Sequence, residues 1–180
     1  MDQKSFTMKR TKWFDRQFPR IHDNGLMPGI IERLEGTPAR LLNKLKIAPE
    51  SVLESGADHP WSLKKEIGHL LDLEPLWYER LNEIRRGEKE LIAADLTNRK
   101  TYETSHDDAS FEKLIQNFSI ERAKLVRSLR GLSEAEMENI SVHPRLRTNM
   151  RAVDMAYFVA EHDDHHLAQI QLLMEEAGLI

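Results

Sequence analysis

The residues with the most chemical content stand late in the chain, where Glu161, His162, Asp163, Asp164, His165, His166 and Leu167 follow one another. In an α-helix, residues four apart lie only about 40° from each other around the axis, so His162 and His166 would project side by side. His165 would point about 100° away from His166. Neutral imidazole is a good ligand for zinc, nickel, copper or iron, and two imidazoles one turn apart form a ready-made bidentate clamp. Such a pair is still a weak site, and a third ligand must come from another helix. His69 is the best candidate, because it shares a stripe with Leu73 and Leu76 and should face an interior where separate helices can pool their ligands. His22, His59, His106 and His143 fall in polar or proline-rich connecting segments and are expected to be solvated.

Each of these residues also has an ordinary reading. A lone histidine such as His69 is often just a half-buried polar residue, and the His162, His166 spacing can arise by accident. Glu161, Asp163 and Asp164 read first as a solvated face, although a carboxylate beside an imidazole can accept its second ring hydrogen and orient it. Glu66, one turn before His69, has the same two readings. Met155, Tyr157 and Phe158 stand at helical spacing and read as core.

The elements that must position these side chains are helical. Glycine and proline punctuation leaves four long segments whose apolar residues recur at three and four, and none alternates like a strand, so the chain is expected to be all-α. The first segment covers about residues 29–47. Thr37-Pro38 interrupts it, either as a kink or as a new start with Thr37 as N-cap and Pro38 at the first position. The second opens at Trp61-Ser62 and closes at Arg85-Arg86-Gly87. Pro75 should bend or break it, because Leu71 loses a hydrogen-bonding partner. The third covers about residues 110–130 and is followed by a short turn with the capping box Ser133 to Glu136. The fourth starts near Thr148 or Asn149 and ends near Ala177. The stretch 88–109 is long and polar enough to travel the length of a bundle, so the second and third helices can run parallel, joined by a crossover.

Composition narrows the chemistry. The 180 residues are expected to form one domain, 1–180, which at this size buries roughly 70% of its unfolded surface and needs no metal merely to fold. The absence of cysteine excludes disulfides, thiolate zinc sites, iron–sulfur clusters and a cysteine nucleophile. A net charge of -4 and a pI near 6.1 argue against nucleic acid as a general partner. No apolar run approaches the ~18 residues of a membrane span. The first twenty residues are basic (Lys4, Lys9, Arg10, Lys12, Arg16, Arg20) but lack a signal peptide's apolar stretch, so a cytoplasmic location is expected. Lys9, Arg10, Lys12 and Arg16 read as solvating charges, and Trp13, Phe14 and Phe18 as an apolar patch for the chain's own core or for a partner.

Two motifs carry a resemblance to a known family. Residues 61–70, with Trp61, Ser62, Glu66, His69 and Leu70, and residues 162–170, with His162, His166 and Gln169, are similar to the tryptophan-serine-glutamate-histidine and histidine-histidine-glutamine patterns of the DinB-like superfamily. The segment 23–38 resembles a subgroup of it. The resemblance implies an up-down-down-up four-helix bundle and assigns a divalent metal, zinc or nickel, to His69, His162 and His166. It implies a position open to water and substrate, where an ion could lower the pKa of water or stabilise a substrate's thiolate. Relatives include thiol-dependent transferases and isomerases as well as metal-dependent hydrolases, and they often form homodimers. The expected function is therefore transfer of a low-molecular-weight thiol to a small electrophile. Hydrolysis is the alternative, with Glu66, Glu161 or Asp164 as base or orienting group. The non-enzymatic alternative is a bundle with a structural or sensing metal that acts through protein contacts.

Overall fold

The computed structural model describes residues 10–56 and 59–180. Its α-helices are α1 (Met27–Leu45), α2 (Glu50–Leu53), α3 (Leu63–Arg85), α4 (Arg99–Glu103), α5 (Phe111–Arg130), α6 (Glu134–Glu138) and α7 (Ala152–Glu176). The long helices α1, α3, α5 and α7 form a four-helix bundle in which α1 and α3 each pack against both α5 and α7. Local signals set the helix starts: Ser62 accepts a hydrogen bond from the Lys65 amide, Ser110 from the Lys113 amide, and Ser133 and Glu136 cap each other.

Proline leaves both helices unbroken. Pro38 lies inside α1 and Pro75 inside α3. Pro38 has no amide hydrogen to give the Leu34 carbonyl, and that oxygen instead accepts from Arg122 Nη1 of α5 at 3.1 Å. Thr37 is therefore not an N-cap. Its hydroxyl reaches Asp163 Oδ2 of α7 at 2.7 Å and the Arg33 carbonyl at 3.1 Å.

These contacts belong to a polar layer across the middle of the bundle. One apolar cluster contains Leu34 of α1, Trp77 and Leu81 of α3, Leu125 of α5 and Val159 of α7. A second contains Leu41, Ile67, Leu70, Phe118 and Ile170 from the same four helices. Thr37, Glu74, Arg122 and Asp163 lie between them in sequence on every helix, and all are buried. The Arg122 guanidinium bonds Glu74 Oε1 at 2.6 Å and Asp163 Oδ1 at 3.0 Å, with a further short contact to Asp163 Oδ2. Burial opposes the charge on Arg122, but Asp163 and Glu74 more than offset this and hold it protonated. Asp163 is thus a core residue rather than part of a solvated face.

Two further expectations need correction. The chain is not wholly helical: β1 (Ser141–Val142) and β2 (Asn149–Met150) form a small antiparallel ribbon, and residues 89–91 pair with Val142. Consequently α7 begins at Ala152 rather than at Thr148 or Asn149, and its first turn is capped by Asp154, whose carboxylate accepts from the Arg151 amide. The N-terminal segment is not merely solvating either. Arg10 donates to the His165 carbonyl at 2.7 Å and to Gln169, and Arg16 donates to Glu161. Trp13 and Phe18 pack on the core, while Phe14 is exposed. Lys4 and Lys9 lie outside the described residues.

Arg122→Met would leave Glu74 and Asp163 buried without their counter-charge, and is expected to lower stability by about 3–5 kcal/mol in urea unfolding. Adding Glu74→Gln and Asp163→Asn should recover part of that loss.

Candidate metal centre

His69 projects from α3, and His162 and His166 from α7, into one buried cluster. One ring nitrogen from each lies within 4.8 Å of the others. The Nε2 atoms of His162 and His166 are 3.2 Å apart. Burial is the main cause of a strong loss of basicity in all three, and charge on a neighbouring ring would reinforce it for His69 and His162. His69 and His166 are pushed down to about 3. The rings are therefore neutral at ordinary pH, the form that binds a metal.

Hydrogen bonds set the ring tautomers. Glu66 Oε2 accepts from His166 Nδ1 at 2.5 Å, which leaves the Nε2 lone pair turned toward His162. The Thr101 hydroxyl donates to Asp72 Oδ2 at 3.1 Å and accepts from His69 Nδ1 at 3.1 Å, which leaves His69 Nε2 free in the same way. Asp72 is held in turn by His106 Nε2 at 2.9 Å and by Lys100. The His106 ring sits so close to α3 that a Cβ on Gly68 would come within 2.3 Å of it, so the helix must carry glycine there. His106 is accordingly buried rather than solvated. His162 Nδ1 is buried and has no hydrogen-bond partner among the described residues. Converging lone pairs on buried neutral rings are the arrangement a divalent cation stabilises, and the three residues fit one.

The cluster forms one wall of a cavity of about 470 Å³. The chain's three tryptophans all line it. Trp13 meets His162 edge-on at 4.9 Å, Trp77 meets it at 5.6 Å, and Trp61 lies 4.7 Å from the His69 ring. His165 packs on Trp13 at 5.5 Å and lines the cavity outside the three-ring cluster. The exposed side chains of Phe14, Leu96 and Tyr102 add an apolar rim.

The acidic candidates separate by place. Glu66 lines the cavity, and burial pushes its carboxyl up to about 7 despite His59 and Arg10 nearby. Glu161 is bonded by Arg16 and Arg33, and Asp164 by Arg33 and Arg40, in a surface network that does not line the cavity. His59, expected to be solvated, is half-buried with Nδ1 3.7 Å from Glu66 Oε1. His143, also expected to be solvated, is buried in the cavity wall, whereas His22 is exposed as expected. Sequence reasoning missed Arg10, Trp13, Arg80, His143 and Arg145 as cavity residues, since each lies on a segment whose path depends on tertiary contacts or, for Arg80, on a helix position that carries no motif.

A sequence model of the DinB superfamily matches residues 33–170. No curated protein sequence matches the chain significantly. Its fold is similar to that of YfiT from Bacillus subtilis, described as a probable metal-dependent hydrolase with an unusual four-helix bundle topology. That similarity has a TM-score of 0.79 at 18% identity and covers 92% of this chain and 95% of YfiT. The fold is also similar to that of a mycothiol-dependent maleylpyruvate isomerase, with a TM-score of 0.64 at 10% identity over 80% of this chain. This chain spans 60% of the isomerase's length. Among the described residues, no helix is long and apolar enough to cross a membrane.

Elemental analysis of protein purified with zinc or nickel is expected to give about one ion per chain, and His69→Ala and His166→Ala should each lose it. A second expectation concerns pH. Because burial depresses the folded-state values of these rings, the unfolded chain takes up protons below about pH 6.5 that the folded chain refuses. The urea midpoint of the metal-free chain should therefore be highest above about pH 6.5 and fall as the pH drops toward about 4.

Proposed function

Because this chain belongs to the DinB superfamily, we propose that it is a metal-dependent enzyme in which His69, His162 and His166 hold a divalent ion, zinc or nickel. The observation that carries this reading is the placement of the three converging imidazoles in the wall of a roomy cavity. A structural ion is enclosed by four protein ligands, whereas a catalytic one keeps a position open beside three. When bound, a divalent ion supplies Lewis acidity that eases deprotonation of a thiol or of water.

The first reading of the chemistry is transfer of a low-molecular-weight thiol to a small electrophile. The chain has no cysteine, so the thiol comes from a cosubstrate. Glu66 is the residue placed to move a proton. Its Oε2 holds His166, and its Oε1 can accept the proton shed by the incoming nucleophile. Burial raises the proton affinity of this carboxyl, which suits it to taking and returning that proton. Glu161 and Asp164 serve instead to tie α7 to α1 and to the N-terminal segment. The tryptophans and the apolar rim exclude water and position the electrophile's carbon framework. Glu66 favours hydrolysis as a second reading, since the same oxygen can take a proton from water.

We read the bundle as up-down-down-up, with the long segment 88–109 as the crossover between α3 and α5. Pair numbers support this. They rise together between α1 and α7 (Arg33 with Glu161, Lys44 with Gln171) and between α3 and α5 (Glu74 with Arg122, Arg85 with Ser128). They run oppositely between α3 and α7 (Glu66 with His166, Trp77 with Phe158).

Metal-loaded protein incubated with an aryl halide is expected to consume it only when a small thiol is supplied. Glu66→Gln should lower that rate by roughly 10²-fold or more, the scale of a lost general base. Turnover of an activated ester at the same rate with and without thiol would replace the transfer reading by hydrolysis.

A further inference from the structure

Away from the three-ring cluster, the cavity wall contains an arrangement of hydrogen-bond donors with nothing to receive them. Arg80 of α3 is 2% exposed. Its Nε and Nη2 donate to the Ile92 carbonyl at 3.0 and 2.9 Å, which turns Nη1 toward His143 Nε2 at 3.2 Å. The His143 tautomer follows from its other nitrogen. Nδ1 accepts from the backbone amides of Arg145 and Leu146, both at 3.2 Å, so in the neutral ring the hydrogen must sit on Nε2. Two N–H groups therefore face each other. Arg145 adds a third, because its Nη2 is buried without a hydrogen-bond partner among the described residues.

The positive charge of this corner is met only at a distance, by Glu83 acting on Arg80 without an ion pair. Neither Arg80 nor Arg145 has a carboxylate within ion-pair distance among the described residues. The nearby acids are committed elsewhere. Glu83 Oε2 accepts from the Ile92 amide at 2.8 Å. Asp95 receives the Thr97 amide and hydroxyl and the Arg99 amide, as the start of α4 requires. Two guanidinium groups and an imidazole N–H held close together repel one another, and a buried donor without an acceptor costs about 1–3 kcal/mol. An anion placed among them would relieve both penalties.

The corner is one aromatic ring away from the imidazoles. The Trp77 ring lies 5.4 Å from the Arg80 guanidinium and 5.6 Å from the His162 ring. Phe158 lies beside His143 at 5.1 Å. A small molecule stretched along these rings would set its anionic end among the donors and its reactive carbon near His162.

We propose that Arg80, His143 Nε2 and Arg145 form a carboxylate-binding subsite, so that the electrophile this protein takes carries a carboxylate. The inference about the electrophile rests on the enzymatic reading above, whereas the subsite itself does not depend on a bound metal. Guanidinium forks suit a planar carboxylate, and the apolar rings beside them suit a carbon skeleton rather than a free inorganic anion.

The test is a titration of the full chain with benzoate, its neutral counterpart benzamide, and inorganic phosphate. It is made on zinc-loaded protein and again after chelation, and read by the fluorescence of the three tryptophans that line the cavity. Benzoate is expected to bind at least about 10-fold more tightly than benzamide in both preparations, about 1.4 kcal/mol. Arg145→Gln should abolish that preference. Arg145 is only partly buried and gives up no ion pair, only its stacking on the exposed Phe14 ring, so the variant should melt close to the wild type. Equal binding of benzoate and benzamide would overturn the proposal, as would a preference that survives Arg145→Gln. Preference seen only in the zinc-loaded protein would place the carboxylate on the ion and overturn it too. Phosphate binding tighter than benzoate would overturn the assignment to carboxylates. If the chain holds no metal, the metal reading fails while the chelated titration still decides the subsite.

Discussion

Arg122 carries its charge in the middle of the bundle with 1% of its surface exposed, and a guanidinium stripped of water costs several kcal/mol unless its donors are met. They are met by the other three long helices. Glu74 comes from α3, Asp163 from α7, and the Leu34 carbonyl from α1, where Pro38 has left it without a helical partner. Sliding any one helix by a turn would strand a buried charge or carbonyl, a penalty that apolar packing alone does not impose. The layer therefore sets the register between two apolar clusters that could otherwise repack among themselves.

Register matters because the imidazoles lie beside the same layer. Asp163 directly follows His162, so the residue that receives Arg122 also settles the rotation and height of α7 at the ring cluster. On the other side, Glu66 and the Thr101, Asp72, His106 chain choose which nitrogen of His166 and His69 is left free. Helices α3 and α7 supply the imidazoles, and segments outside the long helices complete the cavity around them: residues 10–14, the stretch 93–98, and the turn at 143–145. That division is common, because loops can vary in shape while a packed scaffold holds them in place.

The ordinary fate of a polar side chain in this chain is set by what it meets. Asp163 and Asp164 are neighbours on one helix, yet one is fully buried on Arg122 and the other lies at the surface with Arg33 and Arg40. His106 and His22 both stand in polar connecting segments, yet only His106 is buried, because Gly68 leaves room for its ring and Asp72 receives its hydrogen. Composition around a residue is a poor guide in such cases, since a buried polar group is paid for by a partner distant in sequence.

What could be read from the sequence is what depends on near neighbours. Apolar residues at three and four, serine caps and glycine or proline boundaries marked the long helices, with α3 and α5 placed to within a residue at each end. The i, i+4 spacing put His162 and His166 on one face, and the stripe of Leu73 and Leu76 turned His69 inward. Other features needed the folded chain. The unbroken course of α1 through Pro38 leaves the Leu34 carbonyl to a guanidinium 88 residues further along the chain. The ribbon at 141–150 replaces the first turn expected for α7, because residues 89–91 pair with Val142 and the Asp154 cap sets the helix start. The unmet donors of Arg80, His143 and Arg145 arise where α3 meets a turn some 60 residues later. Local periodicity is written in consecutive residues, but burial of a charge and convergence of donors are properties of pairs, and those pairs exist only once the chain has closed on itself.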